Sequence, residues 1–201
     1  MSDFVNTVDS VGDEALTNSI IDRSITEIRD NCVTRIGDSA FYSCSALTAA
    51  DFPAATIIGN SAFESCSALT AADFPAATSI GYYSFESCSK LTTANFPAAT
   101  SIRNSAFESC SALTAADFPA ATSIGYYAFQ YCSKLNTLIL RSGTMATLSG
   151  TNAFSNTPIS SGTGYIYVPA ALVDSYKADS NWSTYSNQIR AIEDYPEICG
   201  T

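Results

Sequence analysis

The sequence predicts a solenoid of stacked coils, α/β in class and predominantly parallel β, with irregular or 3₁₀-like convex arcs and short helical caps. Three observations predict it. Phe41, Phe63, Phe85, Phe107 and Phe129 recur at a step of 22 residues, as do Cys44, Cys66, Cys88, Cys110 and Cys132. Leu47, Leu69, Leu91, Leu113 and Leu135 keep that step, and so do the Phe-Pro pairs that begin at Phe52, Phe74, Phe96 and Phe118. One such unit cannot bury its Leu, Phe, Ile and Cys alone, whereas stacked units share one continuous core.

At the N-terminus, Val11, Ala15, Leu16 and Ile20 lie at helical spacing behind Asp9 or Ser10 as N-cap, which predicts a helical cap over 1–24. Ile25 and Ile28 then open a degenerate first coil that runs through Ile36 to Phe41. In each unit the stretch Leu-x-x-Ala-x-Phe alternates and stops at proline, as a short strand with Leu, Ala and Phe inward should. The return stretch Ile-Gly-x-x-Ala-Phe-x-x-Cys is too short for a regular helix that must also turn at both ends. Leu135, Leu138 and Leu140 make a sixth strand. A three-residue insertion follows, since Phe154 lies 25 residues after Phe129, and Ile166, Val168 and Pro169 make a seventh strand. The solenoid therefore covers 25–169. AALVDSYKAD and NWSTYSNQIRAIED predict two short helices in a C-terminal cap over 170–201, with an irregular tail from Tyr195 and one folded domain in all.

Composition excludes several functions. Nine Lys and Arg against nineteen Asp and Glu, a net charge of -10, argue against a nucleic-acid partner. No histidine is present, which removes Ser-His-Asp and Cys-His catalysis and histidine-containing zinc sites. No phosphate loop, dinucleotide fingerprint or EF-hand loop occurs, so neither enzyme nor cofactor is expected. Nothing reads as membrane insertion, and MSDFVNTVDSVGDEAL lacks the basic and apolar regions of a Sec signal peptide. Asn181-Trp182-Ser183 is a formal glycosylation sequon.

The five cysteines in register form a column of parallel side chains. Zinc needs ligands converging on a tetrahedron, so the expectation is a ladder of small buried thiols and no metal. Glycine at 37, 59, 81 and 125 invites a positive φ, but Arg103 holds the same slot.

Two surface columns are candidate binding sites. Outward on the strands, between the inward Ala and Phe, lie Arg29, Asp51, Asp73, Asn95, Asp117, Ile139 and Tyr167, with Thr93, Thr137 and Tyr165 in the neighbouring column. Stacked aspartates repel, which favours a cation or a basic partner; the bland alternative is a solvated face that keeps the sheet soluble. On the convex side Tyr82-Tyr83 and Tyr126-Tyr127 alternate with Asn60-Ser61 and Asn104-Ser105, beside a file of Glu64, Glu86 and Glu108. Exposed tyrosine pairs are good contact residues. The coils starting at Gly59 and Arg103 are otherwise identical, which points to recent duplication or to a repetitive ligand.

The repeated L-x-x-A-x-F-P and A-F-x-x-C, with the ending Y-I-Y-V-P-A-A-L-V-D-S-Y-K, resemble BspA-like leucine-rich repeats from about Ile25 to Pro169. That resemblance implies a curved leucine-rich-repeat solenoid used for adhesion or recognition of a protein or glycan, often on a bacterial surface. Two alternatives stay open: a structural spacer or component of a phage-tail or surface assembly, and a calcium-binding acidic strip.

Overall fold

Strands form where the sequence alternates and end where Phe-Pro interrupts the amide ladder. The computed structural model describes residues 23–199, so the helix expected over 9–22 lies outside the described residues. Glu27–Arg29, Ala49–Asp51, Ala71–Asp73, Thr93–Asn95, Ala115–Asp117, Thr137–Ile139, Tyr165–Val168 and Ile189–Ala191 form one eight-stranded sheet in chain order. All pairings are parallel and step by one coil, so that Ala71 faces Thr93 and Asp73 faces Asn95.

The eighth strand departs from the expected pair of C-terminal helices. Val173–Ala178 is helical as expected, but Trp182–Tyr185 is a 3₁₀ turn and Ile189–Ala191 extends to pair with Ile166 to Val168. Pairing covers backbone groups that an open sheet edge would leave bare. The tail also differs, since Pro196–Cys199 forms one helical turn.

The return arc is more regular than expected. Arg35–Ile36, Ile57–Ile58, Ser79–Ile80, Ser101–Ile102, Ser123–Ile124 and Thr147–Leu148 build a second, six-stranded parallel sheet. Its entrance is tied by threonines: the hydroxyls of Thr56, Thr78, Thr100 and Thr122 each donate to the carbonyl of the threonine one coil earlier, at 3.0–3.3 Å. Beyond this sheet each of the first five coils turns through two left-handed residues, such as Ser61 and Ser65 or Tyr127 and Tyr131, with φ between 52° and 62°. These turns aim amides along the stack. The N–H groups of Ser39, Ser61, Tyr83 and Ser105 donate to carbonyls of the next coil at 2.7–3.1 Å.

Glycine before these turns serves close approach, and none of those at 59, 81 and 125 has a positive φ. A methyl group on Gly59 or Gly81 would stand 2.6 Å from the backbone of the glycine one coil earlier. Arg103 loosens the same contact: its N–H reaches the Ile80 carbonyl at 3.2 Å, against 2.9–3.0 Å for Gly59, Gly81 and Gly125.

Between the sheets runs the core. Phe41, Phe63, Phe85, Phe107, Phe129 and Phe154 stack with ring centroids 4.9–5.6 Å apart and nearly parallel planes. A second column, Phe52, Phe74, Phe96 and Phe118, meets the first at tilted or edge-on angles. Every one of these rings is fully buried. Asp30 takes the second column's slot in the first coil, where its Oδ1 accepts the N–H groups of Cys32 and Val33 at 2.7 and 3.1 Å.

The repeat ends at an aromatic plug. Trp182 is fully buried beside Phe154 and Tyr176. Its Nε1 donates to the Ala146 carbonyl at 2.7 Å, while the Ala146 N–H donates to the Tyr176 hydroxyl at 2.8 Å. Asn181 Nδ2 donates to the Leu148 carbonyl at 2.6 Å, and the Tyr185 hydroxyl donates to the Thr151 carbonyl. Side chains thus replace the coil that would come next. The formal sequon at Asn181 is consequently a half-buried structural contact.

Candidate functional site

The strand face follows from the two-residue alternation: Ala50, Ala72, Ala94 and Ala116 point inward, so the residues on either side point outward. Ala71, Asp73, Thr93, Asn95 and Ala115 are exposed there. Asp51 and Asp73 are in-register neighbours, yet the expected file of repelling carboxylates does not arise. Asp51 pairs with Arg29 at 2.8 Å, Asp73 Oδ1 accepts Asn95 Nδ2 at 2.9 Å, and Asp117 pairs with Arg141 at 3.0 Å. Each aspartate turns to a different neighbour, so the strip is an ordered polar surface of mixed charge. Among the described residues no group of three or more Cys, Asp or Glu gathers to hold a metal ion.

Toward the C-terminus the same face changes character. Ile139 and Tyr167 are buried beneath Tyr195 and Ile198, with the Tyr167 and Tyr195 rings edge-on at 5.1 Å. Arg141 fixes this cover by donating both to Asp117 and to the Ile198 carbonyl, the latter at 2.8 Å. Tyr167 is therefore a packing residue here, closed to a ligand. Burial, with Tyr195 beside it, raises its hydroxyl above the usual tyrosine range. Tyr165 stays exposed, its ring 4.7 Å beneath the Arg190 guanidinium, and Thr137 donates to Asn136 Oδ1 at 2.9 Å. The tail contacts are nonperiodic, and the repeat gives no signal for them.

On the convex side Tyr82, Tyr83, Tyr126 and Tyr127 are 39–46% exposed, and Tyr131, absent from the sequence candidates, is 51% exposed. One side of each leading ring meets the following coil: Arg103 lies over Tyr82 at 5.7 Å, and Tyr126 packs on Gly150. The sequence did hold a signal for a wider set. Lys90 and Thr93 accompany the first tyrosine pair, and Lys134 and Thr137 accompany the second.

The cysteine column is structural. Cys66, Cys88, Cys110 and Cys132 are buried, and each S–H donates at 3.0–3.1 Å to a phenylalanine carbonyl 25 residues earlier. Burial pushes the Cys66 thiol up to about 12 and those of Cys88 and Cys110 well above the ordinary range, away from the nucleophilic thiolate.

Among the described residues no helix is long and apolar enough to cross a membrane. A search of curated proteins found no match. Several solved structures share the fold, two of them as follows. A leucine rich cell surface protein from Faecalibacterium prausnitzii is 25% identical with a TM-score of 0.58, over 72% of this chain and 48% of that one. A leucine-rich repeat protein from Bacteroides ovatus is 23% identical with a TM-score of 0.65, over 84% of this chain and 42% of that one. This chain therefore spans less than half of either. The sequence pattern of the BspA type leucine rich repeat region matches in six copies, over residues 2–78 and 56–164. The chain belongs to the BspA-type leucine-rich repeat family.

Proposed function

We propose that this chain is a non-enzymatic recognition module for adhesion at a bacterial cell surface, taking a protein ligand on the outward face of its first sheet. One observation carries the reading: from Ala71 to Ala115 the outward side chains are small or polar, exposed and in register. Such a face is flat, rigid and already ordered, so a partner docks without an entropic cost for arranging it. The carboxylates engage Arg29, Asn95 and Arg141 on an open strip, an arrangement suited to recognition more than to acid–base chemistry. Likeness to a leucine rich cell surface protein supports the location.

Binding of the intact protein to a protein array tests this, with Asp73→Lys/Asn95→Lys as the variant, because both side chains are exposed. Partners lost by the variant while its melting temperature is kept support the strand face. Partners retained by the variant, or an array without any partner, overturn the reading.

A further inference from the structure

The core repeats every 22 residues, but part of the surface repeats every 44: Tyr82-Tyr83, Lys90 and Thr93 return as Tyr126-Tyr127, Lys134 and Thr137. The intervening coils carry Asn60-Ser61 and Asn104-Ser105, with alanine at Ala68, Ala71, Ala112 and Ala115.

The leading tyrosines pack one side on the following coil, but packing does not call for the second of each pair. Tyr83 and Tyr127 are 44% and 41% exposed at φ of 58° and 59°, a region unfavourable to L-residues and least suited to bulky ones. Serine fills that slot at Ser61 and Ser105. In the preceding slot, Asn60 and Asn104 accept the N–H groups of Tyr82 and Tyr126 at 3.0 and 3.1 Å, tying one coil to the next. A tyrosine in that slot has no side-chain acceptor at such short reach. Exposed rings held at a strained turn, in place of an inter-coil bond, point to a role outside the fold.

We infer that the arc face binds a neutral polysaccharide with an extended β-1,4-linked backbone. Spacing identifies the repeat. The coils between the two tyrosine pairs are 5.3 and 5.5 Å apart at the phenylalanine column, so the pairs recur at about 11 Å, close to twice the strand spacing. One disaccharide of such a chain is close to that length and presents the same sugar face once per unit. The C–H faces of pyranoses pack on aromatic rings, and tyrosine hydroxyls exchange hydrogen bonds with sugar hydroxyls.

Charges of both signs accompany the tyrosines, Glu64, Glu86 and Glu108 with Arg103, Lys90 and Lys134, which suits a neutral polymer. The turn holding Tyr83 closes on the Glu86 N–H at 3.0 Å, and that holding Tyr127 closes on the Gln130 N–H at 3.0 Å. Glu64, Glu86 and Glu108 line this side closely enough to interact: burial first, then both neighbours, raise the Glu86 carboxyl. Their carboxylates accept from sugar hydroxyls.

Affinity electrophoresis in hydroxyethyl cellulose tests the inference, with amylose and alginate as comparison gels. The variant Tyr82→Asn/Tyr83→Ser/Tyr126→Asn/Tyr127→Ser gives both coils the Asn-Ser pair of their neighbours and so preserves the fold. The expected result is retardation of the parent protein in hydroxyethyl cellulose alone, weakened about tenfold or more in the variant at an unlowered melting temperature. No retardation of the parent, equal retardation in amylose or alginate, or unchanged binding by the variant would overturn it. Strand-face recognition of a protein is unaffected by these substitutions, so failure here leaves that reading standing.

Discussion

The central coils, 59–124, and the C-terminal end, 137–199, satisfy the same backbone in opposite ways. In the central coils the core contacts repeat from coil to coil: phenylalanine on phenylalanine, threonine hydroxyl on threonine carbonyl, cysteine on a phenylalanine carbonyl. At the C-terminal end each partner is unique, as with Trp182 on Ala146, Asn181 on Leu148 and Arg141 on Asp117 and Ile198. Repetition leaves outward side chains free to vary, whereas termination recruits them for packing. That is why Asp73 and Asn95 remain available on the strand face while Ile139 and Tyr167, in the same column, are covered.

The sharpest way to break this comparison is at the plug. Trp182→Ala removes a fully buried ring and leaves the Ala146 carbonyl without its donor, and should cost about 3–5 kcal/mol. Denaturant unfolding measures it; a cost below about 1 kcal/mol would show that the last coil needs no plug. Within the repeat, Cys110→Ala should cost about 1–2 kcal/mol through a small cavity and one lost S–H donor to Phe85. The same substitution at Cys88 should match it, because its surroundings are a copy. Unequal costs would contradict interchangeable coils.

Two smaller effects have the opposite sign. Tyr131→Asn relieves a left-handed φ of 60° in a turn where Asn156 serves the equivalent slot one coil on. It should stabilise by up to about 1 kcal/mol, read from the unfolding midpoint. Glu86→Gln is gentler. Burial and the neighbouring Glu64 and Glu108 raise the folded-state pKa of Glu86. The folded protein then holds this proton more tightly than the unfolded chain, so the contribution is fully present below the unfolded value and is lost as pH rises through the folded one. At neutral pH the variant should gain less than about 1 kcal/mol, since solvent screens the group. That gain should shrink as pH falls through the carboxylate range, and a pH series of melting temperatures would show it.

What the sequence made legible follows from where information is repeated. Phe, Leu, Ile and Cys at a fixed step fixed the coil, the inward face and the thiol ladder, because each must match its copies above and below. Two-residue strands such as Ser79–Ile80 were hidden inside what read as an irregular arc. The left-handed positions were missed because glycine was the expected sign, while Ser61, Tyr83 and Tyr131 occupy them. The cover over Tyr167 and the strand at Ile189–Ala191 depend on single, nonrepeating contacts that no period announces.

The account's central claim is that differences between central coils serve a ligand and add no net stability to the stack. The coil 81–102 differs from 59–80 at Tyr82, Tyr83, Ser84, Lys90, Thr93 and Asn95 alone. All but Ser84 are exposed, and the buried Ser84 hydroxyl has no hydrogen-bond partner. The most direct measurement is calorimetric unfolding of a protein in which 81–102 is replaced by the sequence of 59–80. An unchanged or higher melting temperature is predicted; a lower one would show that these side chains hold the solenoid together, contradicting the claim.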